Sequence, residues 1–180
     1  METQQYSRVA VVLHWLIALL IALNFIAAWV AEDMPKAEKM QIMANHKAFG
    51  LTILALTVIR ILWRLVHKAP PLSAALASWE VALARVVHVL FYFLMLFIPL
   101  TGWGMASGSG NPVSWFGLFD VPALPVAGNK ALGGIFHESH EVLATIMLGL
   151  FALHVAGALK HQLLDRDDTM ARMVPFLRRR

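Results

Sequence analysis

His140 and His154 stand 14 residues apart in a largely apolar stretch, close to four whole turns of α-helix and roughly 21 Å of rise. Both imidazoles therefore leave one face of one helix, at opposite ends of a membrane-length segment. An imidazole held at membrane depth is uncommon and usually faces a bundle interior for a functional reason. The chain has 8 histidines, and five of them, His14, His46, His88, His140 and His154, fall inside or at the ends of apolar stretches. One such residue is ordinarily an interhelical hydrogen-bonding or interfacial group; five call for a common role.

Depth selects partners. His14 lies near the start of the first apolar stretch, and His46 near the start of the second, which returns from the opposite side. Matching levels pairs His14 with His154 and His46 with His140, giving two bis-imidazole sites stacked across a bilayer. A small side chain follows each of the four by one turn, at Ala18, Gly50, Ala144 and Ala158, whereas Tyr92 stands at that place after His88. The ligands come in twos, and no carboxylate lies at matching depth within a span to complete a zinc or iron shell; Glu141, at the outer edge of the fourth stretch, comes nearest. Haem is thus favoured over a bare metal ion, and with both axial positions filled its work is electron transfer. The chain has no cysteine, so a C-x-x-C-H attachment and a thiolate-held cluster are excluded and any haem is held non-covalently. Arg60, 14 residues after His46 and so at the inner level, can meet a haem propionate or snorkel to the interface, the two being equally weighted. Lys47 or Lys130 can serve the outer haem.

These positions need elements to hold them. Of 180 residues, 59% are hydrophobic and 14% charged, too apolar for a soluble domain of this size. Four stretches are long enough to cross about 30 Å of hydrocarbon: Val9 to Val30, Ala44 to Leu65, Ala82 to Trp103, and His140 to Leu159. The expected fold is all-α, an up-and-down four-helix transmembrane bundle forming a single domain over 1–180. The first stretch is longer than a signal-peptide core and lacks a small-residue cleavage site, so it reads as a retained helix. Lys and Arg set the orientation: Arg8, Arg64, Lys68, Arg85, Lys160, Arg166, Arg172 and Arg178 to Arg180 lie on one side, against Lys36, Lys39, Lys47 and Lys130 on the other. Both termini are accordingly expected in the cytoplasm. The net charge of +4 is accounted for by this asymmetry and a basic tail suited to anionic lipid, with no need for nucleic acid.

Three connections follow. Ala31 to Met43 reads as a short outer loop. Val66 to Val81 is a cytoplasmic link broken by Pro70 and Pro71. Gly104 to Ser139 reads as a long loop rich in Gly and Pro, whose Trp115, Phe116 and Phe119 favour packing at the outer interface as a cap.

With these residues in hand, the chain resembles the bacterial cytochrome b561 family of diheme quinone-linked membrane cytochromes, and through it the cytochrome b subunits of formate dehydrogenases and nickel-iron hydrogenases. The carrying features are Tyr6-Ser7-Arg8 leading to His14-Trp15, Asn45-His46 through Gly50 to Arg60 and Arg64, and His88. Toward the end they are Gly110-Asn111-Pro112, His140-Glu141, His154, His161 and Met173-Val174-Pro175. The resemblance runs nearly end to end. It implies axial ligands on the first, second and fourth helices, matching His14, His46, His140 and His154, and two non-covalent haems b in a multi-pass protein of the bacterial inner membrane. It further implies that electrons taken from superoxide at the outer face pass through the haems to ubiquinone. Lys47 and Lys130 would then attract the anion locally, since Glu32, Asp33, Glu38, Asp120, Glu138 and Glu141 keep the outer face from being broadly positive. His88 and His161 are candidates to line a quinone pocket. His137 competes with His140 as a ligand, and the 14-residue spacing to His154 favours His140. Two other functions compete: a cytochrome b relay subunit between quinone and a partner dehydrogenase or other redox protein, and a histidine-lined carrier of divalent metal.

Overall fold

A computed structural model describes residues 6–67, 70–71 and 76–174; Lys68, Pro175 and Arg178 to Arg180 lie outside them, as does part of the link after Val66. Four long helices dominate: α1 (Arg8–Glu32), α2 (Lys36–Val66), α3 (Ser78–Gly108) and α4 (Lys130–Lys160). All four are long and apolar enough to cross a membrane. Their outward surfaces carry large exposed apolar side chains, among them Leu19, Leu62, Val89 and Leu148, as a lipid-facing helix requires.

Helix ends carry local signals. The Ser7 hydroxyl accepts from the Ala10 N–H at 3.3 Å to open α1, the Glu80 carboxylate accepts from the Ala77 N–H at 2.9 Å at the start of α3, and the Asn129 side-chain Oδ1 accepts from the Leu132 N–H at 3.1 Å to open α4. Each satisfies a donor that the first turn leaves unpaired.

Two connections are shorter than the sequence suggests. The stretch expected as a loop from Ala31 to Met43 reduces to Asp33–Pro35, because Lys36 to Met43 consists of good helix formers that carry α2 past the hydrocarbon boundary. The long loop expected from Gly104 to Ser139 reduces to Ser109–Asn129. Gly104, Gly108 and Gly133 in that stretch serve close helix contact instead of breaking the chain. A Cβ on Gly108 would lie 2.7 Å from the Gly133 Cα, and one on Gly104 2.7 Å from the Phe136 ring. Small residues let two backbones approach in lipid, where dispersion packing rather than hydrophobic exclusion holds helices together.

The remaining connection folds into an antiparallel hairpin, β1 (Val113–Trp115) with β2 (Phe119–Val121), in the register Val113 to Val121 and Trp115 to Phe119. Its turn places Phe116 and Gly117 at φ 52 and 73, the left-handed pair of a type I′ turn. The hairpin lies on α2: the Trp115 indole N–H donates to Thr52 Oγ1 at 3.0 Å, and the Phe116 ring meets Phe49 edge-on at 5.1 Å. After α4 the chain makes a π-helical turn over His161–Asp165 and a short 3₁₀ turn at Met170–Arg172. This tail is pinned to α1 by the Trp15 indole, which donates to the Met173 carbonyl at 2.9 Å.

Packing follows chain order, α1 on α2, α2 on α3 and, most extensively, α3 on α4, while α4 scarcely approaches α1 or α2. A buried cluster fills the middle depth, with Ile17 and Ile21 from α1, Ile53 from α2, Leu94 and Met95 from α3, and Met147 and Leu150 from α4.

Candidate haem sites

α4 presents His140 and His154 to two different levels. At one, toward the hairpin, the His46 and His140 rings lie 6.2 Å apart between centroids with their planes at 68°. At the other, toward the chain termini, His14 and His154 are likewise 6.2 Å apart, at 71°. An iron bound to two imidazole nitrogens at about 2 Å each, with each nitrogen about 1 Å from its ring centre, sets the centres about 6 Å apart. Both pairs meet that requirement. Both also join helices that scarcely approach one another, which leaves the breadth a flat macrocycle needs. The mid-depth apolar cluster separates the two levels.

At the hairpin level both rings are oriented by backbone carbonyls. His140 Nδ1 donates to the Ile98 carbonyl at 2.9 Å, an oxygen that also accepts from Thr101 Oγ1 at 2.8 Å; Thr101 Oγ1 itself stands 3.3 Å from His140 Nδ1. A Cβ on Gly102 would touch the His140 ring at 3.2 Å, so the glycine sets how closely the ring lies against α3. His46 Nδ1 lies 3.2 Å from the Asn24 carbonyl. A ring that spends its Nδ1–H this way presents a bare Nε2, the form an axial ligand takes. The Asn24 side-chain oxygen is buried without a hydrogen-bond partner at the same level, while ring spacing and tautomer are those of axial ligands. The residues present therefore fit haem. Asn24, Thr101 and Gly102 have no signature in the sequence, because their partners lie 22 to 39 residues away.

The other sequence candidates separate. His88 also lies 6.2 Å from His154, at 70°, but it sits on α3, which packs directly on α4 and leaves no breadth for a macrocycle between them. Arg60 donates through Nε to the Tyr92 hydroxyl at 3.2 Å, and stands close enough to His14, His154 and His88 to act on each electrostatically. His161 is remote from the ring pairs in its bonding: its Nδ1 lies 2.8 Å from Asp167 and 3.0 Å from Asp165. Next to it Lys160 pairs with Glu80 at 2.8 Å and Asp165 at 2.5 Å. His137 is exposed, 3.6 Å from Glu141 and 3.9 Å from Glu138. Lys47 is half-buried beside His46, and Lys130 is exposed as the first residue of α4.

A bundle of four membrane-length helices holding imidazole pairs at two depths defines a membrane electron-transfer protein of the cytochrome b class. The pattern of prokaryotic cytochrome b561 matches residues 5–176, and the chain belongs to that family. It is 31% identical to cytochrome b561 homolog 2 of Escherichia coli over 95% of this chain and 92% of that protein. A probable superoxide oxidase, CybB, of Yersinia pestis is 28% identical over 96% of this chain and 97% of its own length. Cytochrome b562 of Cereibacter sphaeroides is 27% identical over 94% of each.

Proposed function

We propose that the chain carries two haems b, one between His46 and His140 and one between His14 and His154, and passes electrons from superoxide to ubiquinone. The observation that carries this reading is the pair of imidazole couples at one common separation, 6.2 Å, at two depths of a membrane bundle. Bound there, haem supplies a one-electron store that need not exchange ligands as it cycles.

The chain's own groups do the rest. Ile98 and Asn24 fix the tautomers of His140 and His46 through their carbonyls. Lys47 and Lys130 attract the superoxide anion at the hairpin end, and Arg60 meets a propionate at the other. Two superoxide anions are oxidised to oxygen, and the two electrons, with two protons taken up at the end bearing the termini, convert ubiquinone to ubiquinol. That end is cytoplasmic and the membrane is the bacterial inner membrane, on the distribution of Lys and Arg. The relative described as a probable superoxide oxidase supports the choice of donor.

The test is a reduced-minus-oxidised visible spectrum of the detergent-purified chain with haem counted per polypeptide, followed by superoxide with ubiquinone present. Two low-spin haems b that superoxide reduces and ubiquinone reoxidises are expected. Haems indifferent to superoxide would leave a relay subunit, and a colourless protein would overturn the reading altogether.

A further inference from the structure

The two imidazole pairs are held in different ways. At the hairpin level both rings are fixed at Nδ1 by backbone carbonyls, His46 by Asn24 and His140 by Ile98. At the level toward the termini, among the described residues, neither the His14 nor the His154 ring has a hydrogen bond. Each instead meets an aromatic side chain edge-on at the same separation, His14 against Trp15 at 5.3 Å and 73°, and His154 against Phe91 at 5.3 Å and 78°. Phe91 packs against the mid-depth cluster, so the core sets its place. Trp15 has no such support: it is 48% exposed. What fixes it is one polar contact, the indole N–H donated to the Met173 carbonyl at 2.9 Å, 158 residues further along the chain.

That carbonyl is itself a fixed point. The Met173 and Val174 N–H groups donate to the Met170 carbonyl at 3.0 and 2.9 Å, and the Val174 side chain is buried. Arg172 pairs with Asp168 at 3.0 Å and donates to the Pro71 carbonyl in the link between α2 and α3. The left-handed turn at Arg166, φ 56, is spanned by His161 Nδ1, 2.8 Å from Asp167. Although α4 scarcely approaches α1, the tail that follows α4 therefore reaches α1 at the residue next to His14.

We propose that Trp15 is a positioning residue for the His14 imidazole, and that the tail around Met170–Val174 holds it in place. The proposal rests on the haem assigned above to His14 and His154. An imidazole joined to iron through one nitrogen can still turn about that bond, and partners of the ring ordinarily remove this freedom. At the hairpin level carbonyls do so; here the task falls to an aromatic edge set against an aromatic face. An indole at a membrane interface commonly serves as an anchor among headgroups, which accounts for the exposure of Trp15. It does not account for an N–H spent on a carbonyl of the same chain, nor for the contact with His14. The position of the tail is thus felt at one haem level and not at the other.

The test compares the ferric, haem-loaded, detergent-purified full chain with its Trp15→Leu, Trp15→Phe and Arg172→Gln variants. Electron paramagnetic resonance reports the angle between axial imidazole planes, and midpoint potentials, haem per polypeptide and the rate of haem transfer to excess apomyoglobin are measured alongside. Trp15→Leu is expected to shift the resonance and potential of the haem that His14→Ala depletes, and to speed its release about two- to tenfold, the weight of one edge-to-face contact. The other haem stays as in the parent. Trp15→Phe, which keeps a ring edge without the N–H, is expected to fall between parent and Trp15→Leu. Arg172→Gln, on the tail itself, is expected to shift the same haem and guards against a folding artefact at Trp15. Parental behaviour in both Trp15→Leu and Arg172→Gln would overturn the proposal, as would equal shifts of both haems. A shift in Trp15→Leu with Arg172→Gln parental would overturn the part given to the tail. A parent chain with fewer than two haems would fail the proposed function instead, a result read before any variant is compared.

Discussion

His140 Nδ1 stands 2.9 Å from the Ile98 carbonyl, one residue before Pro99 in α3. The carbonyl is shared with Thr101, so ring, hydroxyl and backbone form one fixture on the helix that α4 packs against. Because a ligand imidazole gains basicity from such a bond, Thr101→Val is expected to leave haem content unchanged while shifting the midpoint potential of one haem only. Potentiometric titration followed in the visible band reads this directly. An unaltered pair of potentials would remove Thr101 from the site.

Ligand removal should separate the levels. His46→Ala and His140→Ala are expected to lower haem from about two per chain to about one, and His14→Ala and His154→Ala to deplete the other haem, distinguishable by potential. His88→Ala retains both, although His88 is as near to His154 as His14 is. Loss of a haem in the His88 variant, with retention in His14→Ala, would reassign the ligand.

The close crossing of α3 and α4 should tolerate no side chain. Gly108→Leu puts its Cβ 2.7 Å from backbone, where no rotamer change relieves the clash, so a cost of about 1–3 kcal/mol or more is expected. Thermal bleaching of the haem bands in detergent would report it as a lower midpoint than that of Gly149→Leu, a site with open space around it.

Electrostatic steering predicts a salt signature. Lys47→Gln with Lys130→Gln should slow reduction by superoxide several-fold at low ionic strength, with the difference shrinking near 0.15 M, where screening acts over about 8 Å. Stopped-flow traces across a salt series would show a gap that salt does not close if the lysines act otherwise.

Trp115 fastens the hairpin to Thr52. Trp115→Ala is expected to free the hairpin and raise proteolytic cleavage near Gly117, while Phe119→Ala, whose side chain is 57% exposed, changes it little. Equal cleavage in both would show that the hairpin is held by other contacts.

The sequence made legible whatever obeys a period. The spans follow from the length of the apolar runs, and the proximity of His14 to His154 and of His46 to His140 follows from whole helical turns combined with alternating chain direction. Helix ends were less legible, because Gly108 and Gly133 mark breaks in isolation and a close crossing once α3 and α4 lie side by side. The carbonyls of Asn24 and Ile98, and the Arg60 guanidinium turned on Tyr92, belong to tertiary contacts between different helices, and no local spacing encodes them.

The seam that α4 leaves open toward α1 bears on how such a molecule is assembled. A ring of four helices with three tight joints and one loose one can be inserted as a finished chain and still admit a large flat guest sideways from the lipid. No helix has to be unthreaded for this, since the crossing locked by Gly108 and Gly133 joins α4 to α3 and not to α1. Maturation can thus come after membrane insertion, with the guest itself closing the last joint.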